Sequence, residues 1–441
     1  METFLAFLIF IGILVLVHEF GHFAMAKAFG VGVEVFSIGF GPPIVRKKLG
    51  ETVYQIALLP LGGFVKLHGE EDSEESRKDP RSFYAKPPWQ RILIAFGGPL
   101  FNFLFAVLAF WFVYLQPQPI PKYLLNPPKV EYVYPSSPAQ KLGLKRGDLI
   151  LEVNGEPTRN WLELEKLLRE NAGKEVTLTV LRDGKKITLK VKLSYEILSK
   201  GLGILPLLPP KVGEVQEGSP AWQVGLKRGD LIVAVNGKKV ETWWDLKRMV
   251  QSSEGKPLKL LIKRGETLKE ITLIPKPVKL SNGKTAYIVG IKVETEYVYK
   301  KLSPLQALKK AAEQTLFLTI LTLKVIKGLI VGEVSFNTLG GPLSIAGFAG
   351  EAAKLGLVAF VSAMASLSVQ LGLFNLLPLP LLDGGLILLF LAEWVRGKPL
   401  PPKFKEWWIK VGVVIIITLM VFIFTQDIIR FITTGKLIPS P

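Results

Sequence analysis

The chain has 441 residues, 49% of them hydrophobic, and a positive mean hydropathy, too apolar a balance for an ordinary soluble enzyme. Its formal net charge of +18 invites a nucleic-acid reading, yet no nucleic-acid motif accompanies the basic residues, which gather beside apolar runs. Cysteine is absent, which excludes a thiol nucleophile, a thiolate metal site and a disulfide framework.

Residues 1–31 carry the first predicted span. From Phe4 to Ala26 the only charge lies inside "VLVHEFGHFAMA" at 15–26. No basic residue precedes the apolar run and no small-x-small site follows it, so a retained span is expected rather than a removed leader. His18 and His22, four apart, share one helix face at about 6 Å, a spacing suited to one zinc ion. Glu19 beside them has the position of the general base in H-E-x-x-H sites. A glutamate within a span costs on the order of 3 kcal/mol or more, and two of the chain's three histidines sit here. Polar residues merely joining helices account for this less well than a metal site does. Gly21 leaves room in the same turn for another backbone.

The stretch "GVEVFSIGFGPPIVRKKLGETVYQIALLPLGGFVKL" at 32–67 is rich in β-formers and Gly/Pro turns, which predicts strands within 32–90. His68, beside "GEEDSEES", reads as a solvated histidine. The second span is expected over 91–116, with "GGPLFNF" placing Asn102 inside it. There Asn102 either lines a substrate path or bonds across helices.

"SPAQKLGLKRGDLILEVNG" at 137–155 recurs as "SPAWQVGLKRGDLIVAVNG" at 219–237, so a tandem pair of small α+β domains is expected over 127–196 and 200–277. The pattern resembles bacterial PDZ domains, which add an extended peptide to a sheet edge beside a glycine-rich loop. On that resemblance Gly201, Leu202, Gly203 and Ile204 are expected to form the ligand loop of the second copy. No comparable loop stands out for the first copy. Either copy could instead be a spacer or steric filter.

Residues 300–354 are read as an amphipathic segment on the outer membrane surface, with Lys324 and Lys327 snorkelling. A third span is expected over 355–396. From Leu355 to Ala392 the only charge is Asp383, and a straight helix of that length would reach roughly 57 Å against a core of about 30 Å. A break is therefore required, and "FNLLPLPLLDGG" supplies its prolines and glycines. Counted from their cytoplasmic flanks, His18 and Asp383 both lie about 14–15 Å deep, which makes Asp383 the candidate third ligand. Asn375 is placed to hold a substrate carbonyl or oxyanion. A fourth span over 407–432 begins at Trp407 and Trp408, suited to an interfacial belt.

The basic loops at 27–86 and 396–410 are cytoplasmic by the positive-inside rule, which puts both termini and the repeats outside. The expected fold is thus a polytopic α-helical membrane protein of four spans with a β region and two extracytoplasmic PDZ-like domains.

H-E-x-x-H in a first span, N-x-x-P-x-P-x-L-D-G-G in a late span and PDZ repeats between them resemble the site-2 protease family. The closer likeness is to the RseP-type intramembrane metalloproteases of Gram-negative bacteria. Many members carry histidine after D-G-G, where this chain has Leu386. The resemblance implies Zn²⁺ held by His18, His22 and Asp383, Glu19 as catalytic base, and Asn375 and Asn102 as substrate-handling residues. It also implies a membrane-associated β-hairpin at 32–67 that pairs with an unwound substrate, and residence in the bacterial inner membrane with periplasmic PDZ domains. Expected partners are membrane lipids, peptide ligands of the PDZ domains and single-span substrates such as trimmed anti-sigma factors or signal-peptide remnants. The rival expectation is a non-catalytic PDZ adaptor or chaperone with a structural zinc.

Overall fold

The computed structural model describes residues 2–171, 173–193, 201–279, 285–332, 334 and 340–434. Met1, residues 194–196 of the first expected PDZ-like segment, and 333 with 335–339 of the expected surface segment lie outside the described residues. The chain divides into two compact units, residues 1–118 with 301–441, and residues 119–300.

In the first unit, long Leu/Ile/Phe/Ala runs form helices because lipid leaves every backbone group to be satisfied within its own segment. Among the described residues five helices are long and apolar enough to cross a membrane: α1 (Glu2–Ala28), α2 (Pro88–Leu115), α3 (Pro304–Val331), α5 (Leu357–Asn375) and α7 (Pro402–Thr434). Shorter helices in this unit include α4 (Pro342–Lys354) and α6 (Asp383–Arg396). The required break in the long apolar segment is residues 376–382, between α5 and α6.

α1 and α2 pack backbone to backbone. A Cβ added to Gly97 would meet the Gly21 carbonyl oxygen at 2.6 Å, so both positions need glycine. At the other end of α6, Glu393 is buried and accepts from Arg91 of α2 at 2.9 Å, while Lys405 of α7 lies 2.6 Å away. These contacts fix α6 between its neighbours.

Helix α3 differs from the expected surface-lying segment. Trp111 Nε1 of α2 donates to the Pro304 carbonyl, Ala311 packs with Ala109 and Phe110, and Leu318 packs with Phe103 and Ala106. Residues 304–318 therefore run antiparallel along α2 instead of across its end. Ala307, Ala311 and Thr315, four apart and all buried, provide the small-residue face that permits this approach. Lys324 and Lys327, which argued for the surface, lie beyond that face and are exposed.

The β region is more elaborate than a hairpin. Within β1 (Val33–Leu49) and β2 (Thr52–Leu67), residues near the start of β1 pair on both sides: Val35 with Val53 and Lys66, Ser37 with Gln55 and Phe64. Leu49 faces Thr52 across the turn. The result is four legs in the order 43–49, 52–57, 33–40, 62–67. The last leg lies beside α1, where a Cβ on Gly63 would touch Val15 and Glu19. Its outer edge carries no further strand among the described residues.

The second unit holds two α+β domains of the same plan. In the first, strands Leu149–Val153, Glu175–Arg182 and Lys185–Lys192 pack with helix Trp161–Glu170 around Ile150, Leu164, Leu178 and Leu193. In the second, strands Leu231–Val235, Leu258–Arg264 and Thr267–Leu273 pack with helix Trp243–Ser252 around Ile232, Leu246, Leu260 and Ile262. Each repeats one ion pair: Arg182 clasps Asp148 and Arg264 clasps Asp230, every bond at 2.7 Å.

Residues Gly201–Ile204 belong to the first domain and not, as expected, to the second. Ile204–Leu205 pairs with Tyr132–Val133, Leu202 enters the first core, and the Ala139 amide donates to the Leu202 carbonyl. The matching segment of the second domain is Ile288–Ile291, where Ala221 donates to Val289 and Ile291–Val293 pairs with Val212–Val215. Each domain closes with a strand that follows its long hairpin, so the second extends past residue 277.

Burial alone would raise Asp230, but the Arg264 guanidinium and the Lys227 amide hold its carboxyl below the usual carboxylate range. A lowered folded-state pKa gives stability that is present above the unfolded value of about 3.9 and lost as pH falls through the folded one. Asp230→Asn should cost the second domain about 2 kcal/mol near neutral pH. Hydrogen exchange of strand 258–264 in the full-length protein should report this loss, with the gap to wild type closing as the pH drops below about 3.9.

Candidate active site

Three side chains from two distant parts of the chain converge inside the helical unit. His18 Nε2 lies 3.3 Å from His22 Nε2 and 3.2 Å from Asp383 Oδ2, and His22 Nε2 lies 3.4 Å from Asp383 Oδ1. Tetrahedral zinc with bonds of about 2.0–2.1 Å has ligand-to-ligand edges of about 3.3 Å. The two imidazole nitrogens are one such edge apart, and the Asp383 carboxylate faces both, His18 through Oδ2 and His22 through Oδ1, so the three side chains can hold one zinc ion. Asp383 Oδ2 is buried and accepts no well-formed hydrogen bond, an arrangement costly for a carboxylate unless a cation faces it. Among the described residues these three form the one group able to hold a metal.

Each ligand is set by its local backbone. His18 and His22 are adjacent on one face of α1, as their spacing predicts. His22 Nδ1–H donates to the Ile94 carbonyl of α2 at 2.9 Å, leaving Nε2 free for a metal. Asp383 is the first residue of α6, where the helix dipole favours a carboxylate. Ahead of it Leu381 has φ of 72°, a strained value for a non-glycine residue and a mark of a constrained functional turn. Gly384 and Gly385 let the 376–382 loop fold back, since a Cβ on either would strike its carbonyls.

Glu19, one residue past His18, directs its carboxylate toward the backbone of Val65 in the last β leg and within electrostatic range of His18, His22 and Asp383. Asn375 ends α5 and is half-buried; its amide has no hydrogen-bond partner among the described residues. It is therefore adjacent in sequence to the loop before Asp383 but is not bonded to the ligands.

Of the two expectations for Asn102, the contact the structure shows is the bond across helices. It is 0% exposed, and its amide lies 3.0 Å from His18 Nδ1, on the side of the ring away from Asp383. Buried between α1 and α5, it bonds across helices, to His18 on one side and, through its backbone carbonyl, to Ser368 on the other. His68 is likewise not at the site: it lies 2.7 Å from Asp79 and 3.2 Å from Glu34, which raise its pKa in that order.

Gly98 is a site residue that the sequence reading missed. A Cβ there would fall 2.7 Å from His18 Cε1 and 2.8 Å from His18 Nε2. The signal was visible as two glycines before a proline within an apolar span. The two α+β domains of the second unit each have a cleft. One of about 340 Å³ is lined by Tyr134, Trp161, Leu168 and Gly201–Ile204; the other, about 380 Å³, by Trp243, Val250, Tyr287 and Ile288–Ile291. In the second, Gln251 bonds both the amide and the carbonyl of Tyr287, occupying part of the strand edge.

Gly98→Val should yield a folded protein that retains no zinc, because the added carbons displace the His22 and His18 rings. Elemental analysis of the purified variant reads this directly, and one zinc per chain would contradict the geometry.

Against this geometry stand three sets of similarities. The model of peptidase family M50 matches residues 6–419. A Vibrio cholerae protein named as a zinc metalloprotease is 36% identical, covering 97% of this chain and 98% of its own length. The regulator of sigma E protease of Haemophilus influenzae is 35% identical, covering 96% and 98%. The regulator of sigma-E protease RseP of Escherichia coli is 36% identical, again covering 96% and 98%. A solved PDZ domain from Listeria monocytogenes is 24% identical and covers 19% of this chain and 84% of its own, at a TM-score of 0.17 that carries no structural argument. Membership over nearly the whole chain leaves one conclusion: the protein belongs to peptidase family M50, the site-2 proteases, and is a zinc metalloprotease with membrane helices.

Proposed function

We propose that the protein cleaves single-span membrane proteins within the bilayer, near its cytoplasmic side, with His18, His22 and Asp383 as zinc ligands and Glu19 as general base. The observation that carries this reading is the convergence of His18 Nε2, His22 Nε2 and the Asp383 carboxylate at 3.2–3.4 Å, with Glu19 on the same helix turn. Three protein ligands leave a fourth position open, as hydrolytic zinc sites require, whereas structural sites are closed by four. That open position disfavours the adaptor reading.

Bound zinc would polarise the scissile carbonyl and acidify water. Glu19 takes the proton from the attacking water and delivers it to the leaving amine. Asn375, free of other partners, reaches toward the substrate carbonyl from the end of α5 and steadies the charge that develops there. A substrate helix must first unwind, and its freed amides and carbonyls need partners in lipid. The unpaired edge of leg 62–67, beside Val15 and Glu19, supplies them by strand addition.

In this reading α1, α2, the broken pair α5–α6 and α7 are the four crossings, with α3 packed alongside α2. The termini and PDZ-like domains face the periplasm of the inner membrane, consistent with basic loops on the other side. The PDZ clefts engage or screen the extracytoplasmic part of the substrate. Relatives named regulator of sigma E protease point to a trimmed anti-sigma factor as one substrate, and the same site would accept signal-peptide remnants as another.

Glu19→Gln should bind zinc normally yet cut at least about 10²-fold more slowly. The assay is detergent-solubilised protein with a short-ectodomain transmembrane substrate, products followed by mass spectrometry. Undiminished turnover by Glu19→Gln would overturn the mechanism. A fourth protein ligand at the metal would favour the adaptor.

A further inference from the structure

We propose that Asn102 is the positioning residue for His18. Its carboxamide oxygen takes the Nδ1 proton, holding the ring in the tautomer whose Nε2 lone pair faces His22 and Asp383. This rests on the reading of His18 as a metal ligand.

His18 and His22 must each offer an unprotonated Nε2 to a shared cation, so each must carry its proton on Nδ1, and each Nδ1–H then needs an acceptor. For His22 the acceptor is the Ile94 backbone carbonyl at 2.9 Å. For His18 the polar group placed to serve, among the described residues, is the Asn102 amide at 3.0 Å. Nitrogen and oxygen of a carboxamide exchange by a half-turn, and the end that faces an N–H is the oxygen. The ligand role of His18 thus dictates which way Asn102 is turned.

Two further observations separate this role from ordinary helix packing. Asn102 is 0% exposed, and the remaining atom of its amide is buried with no partner. A half-satisfied buried amide weakens a fold, and an apolar side chain of the same shape would suit the position better if packing were its purpose. The surroundings also hold it rigidly: Ser368 donates to the Asn102 backbone carbonyl at 2.8 Å, and a Cβ on Gly372 would lie 3.3 Å from Asn102 Cβ. α5 thereby clamps the residue that orients a ligand on α1, although α5 contributes no ligand itself.

The test uses the full-length protein in detergent, with zinc affinity measured by competition against a chelator of known affinity and thermal midpoints measured without metal. Asn102→Leu should bind zinc about 10- to 100-fold more weakly while its metal-free midpoint is equal to or above wild type. Asn102→Asp, which retains an acceptor oxygen, should recover most of the lost affinity. If Asn102→Leu does not fold, Asn102→Ala should show the same loss of zinc affinity, with Asn102→Asp again restoring it, and its midpoint, lowered by the cavity it leaves, is not counted. Wild-type affinity in the Leu or Ala variant, or an Asp variant as weak as Leu, would overturn the proposal. So would a metal-free midpoint that falls together with the affinity, since that is the mark of a structural role. His18→Ala retaining wild-type zinc binding would instead count against the ligand assignment on which the proposal rests.

Discussion

The contact between α1 and α2 at Gly21, Gly97 and Gly98 is the constraint on which the site depends. Only without side chains can two lipid-embedded helices come close enough for Ile94 and Asn102 to reach the outer nitrogens of His22 and His18. Those two bonds set the ring planes, and the ring planes decide whether Asp383 can complete a tetrahedral edge. The buried bonds of Glu393 to Arg91 and Lys405 then hold the far end of α6, so that Asp383 is fixed from both sides. A catalytic metal in hydrocarbon is thus a packing problem before it is a chemical one.

Much of the site was legible because charge in a lipid-buried segment is scarce. His18, Glu19, His22 and Asp383 stand out against apolar runs, and counting residues from the cytoplasmic flanks placed the two halves at one depth. The need for a break between α5 and α6 followed from length alone. Asn102 was visible too, but its role was not. A lone amide in a span looks the same whether it faces a substrate or the back of a ligand, and only its burial separates the two.

Other features were hidden by the nature of the signal. Gly201–Ile204 lies between the repeats, and sequence adjacency assigned it forward; strand pairing with Tyr132–Val133 assigns it backward. The matching Ile288–Ile291 segment carries one glycine where the first carries two, so the repeat fades where the closing strands begin. Helix α3 misled through Lys324 and Lys327, because two charges at one end say nothing about the small-residue face at the other. For 32–67 the composition predicted strands, but the double pairing of β1 depends on register, which a β-rich stretch does not disclose.

The central claim is that one zinc sits on two imidazoles and one carboxylate with a position left for water. X-ray absorption at the zinc edge on the purified full-length protein tests it most directly. The account predicts a first shell of two nitrogens and the rest oxygen at about 2.0–2.1 Å in tetrahedral geometry, replaced in His18→Ala by a weaker, disordered signal. A shell closed by four protein ligands, or one unchanged by His18→Ala, would contradict it.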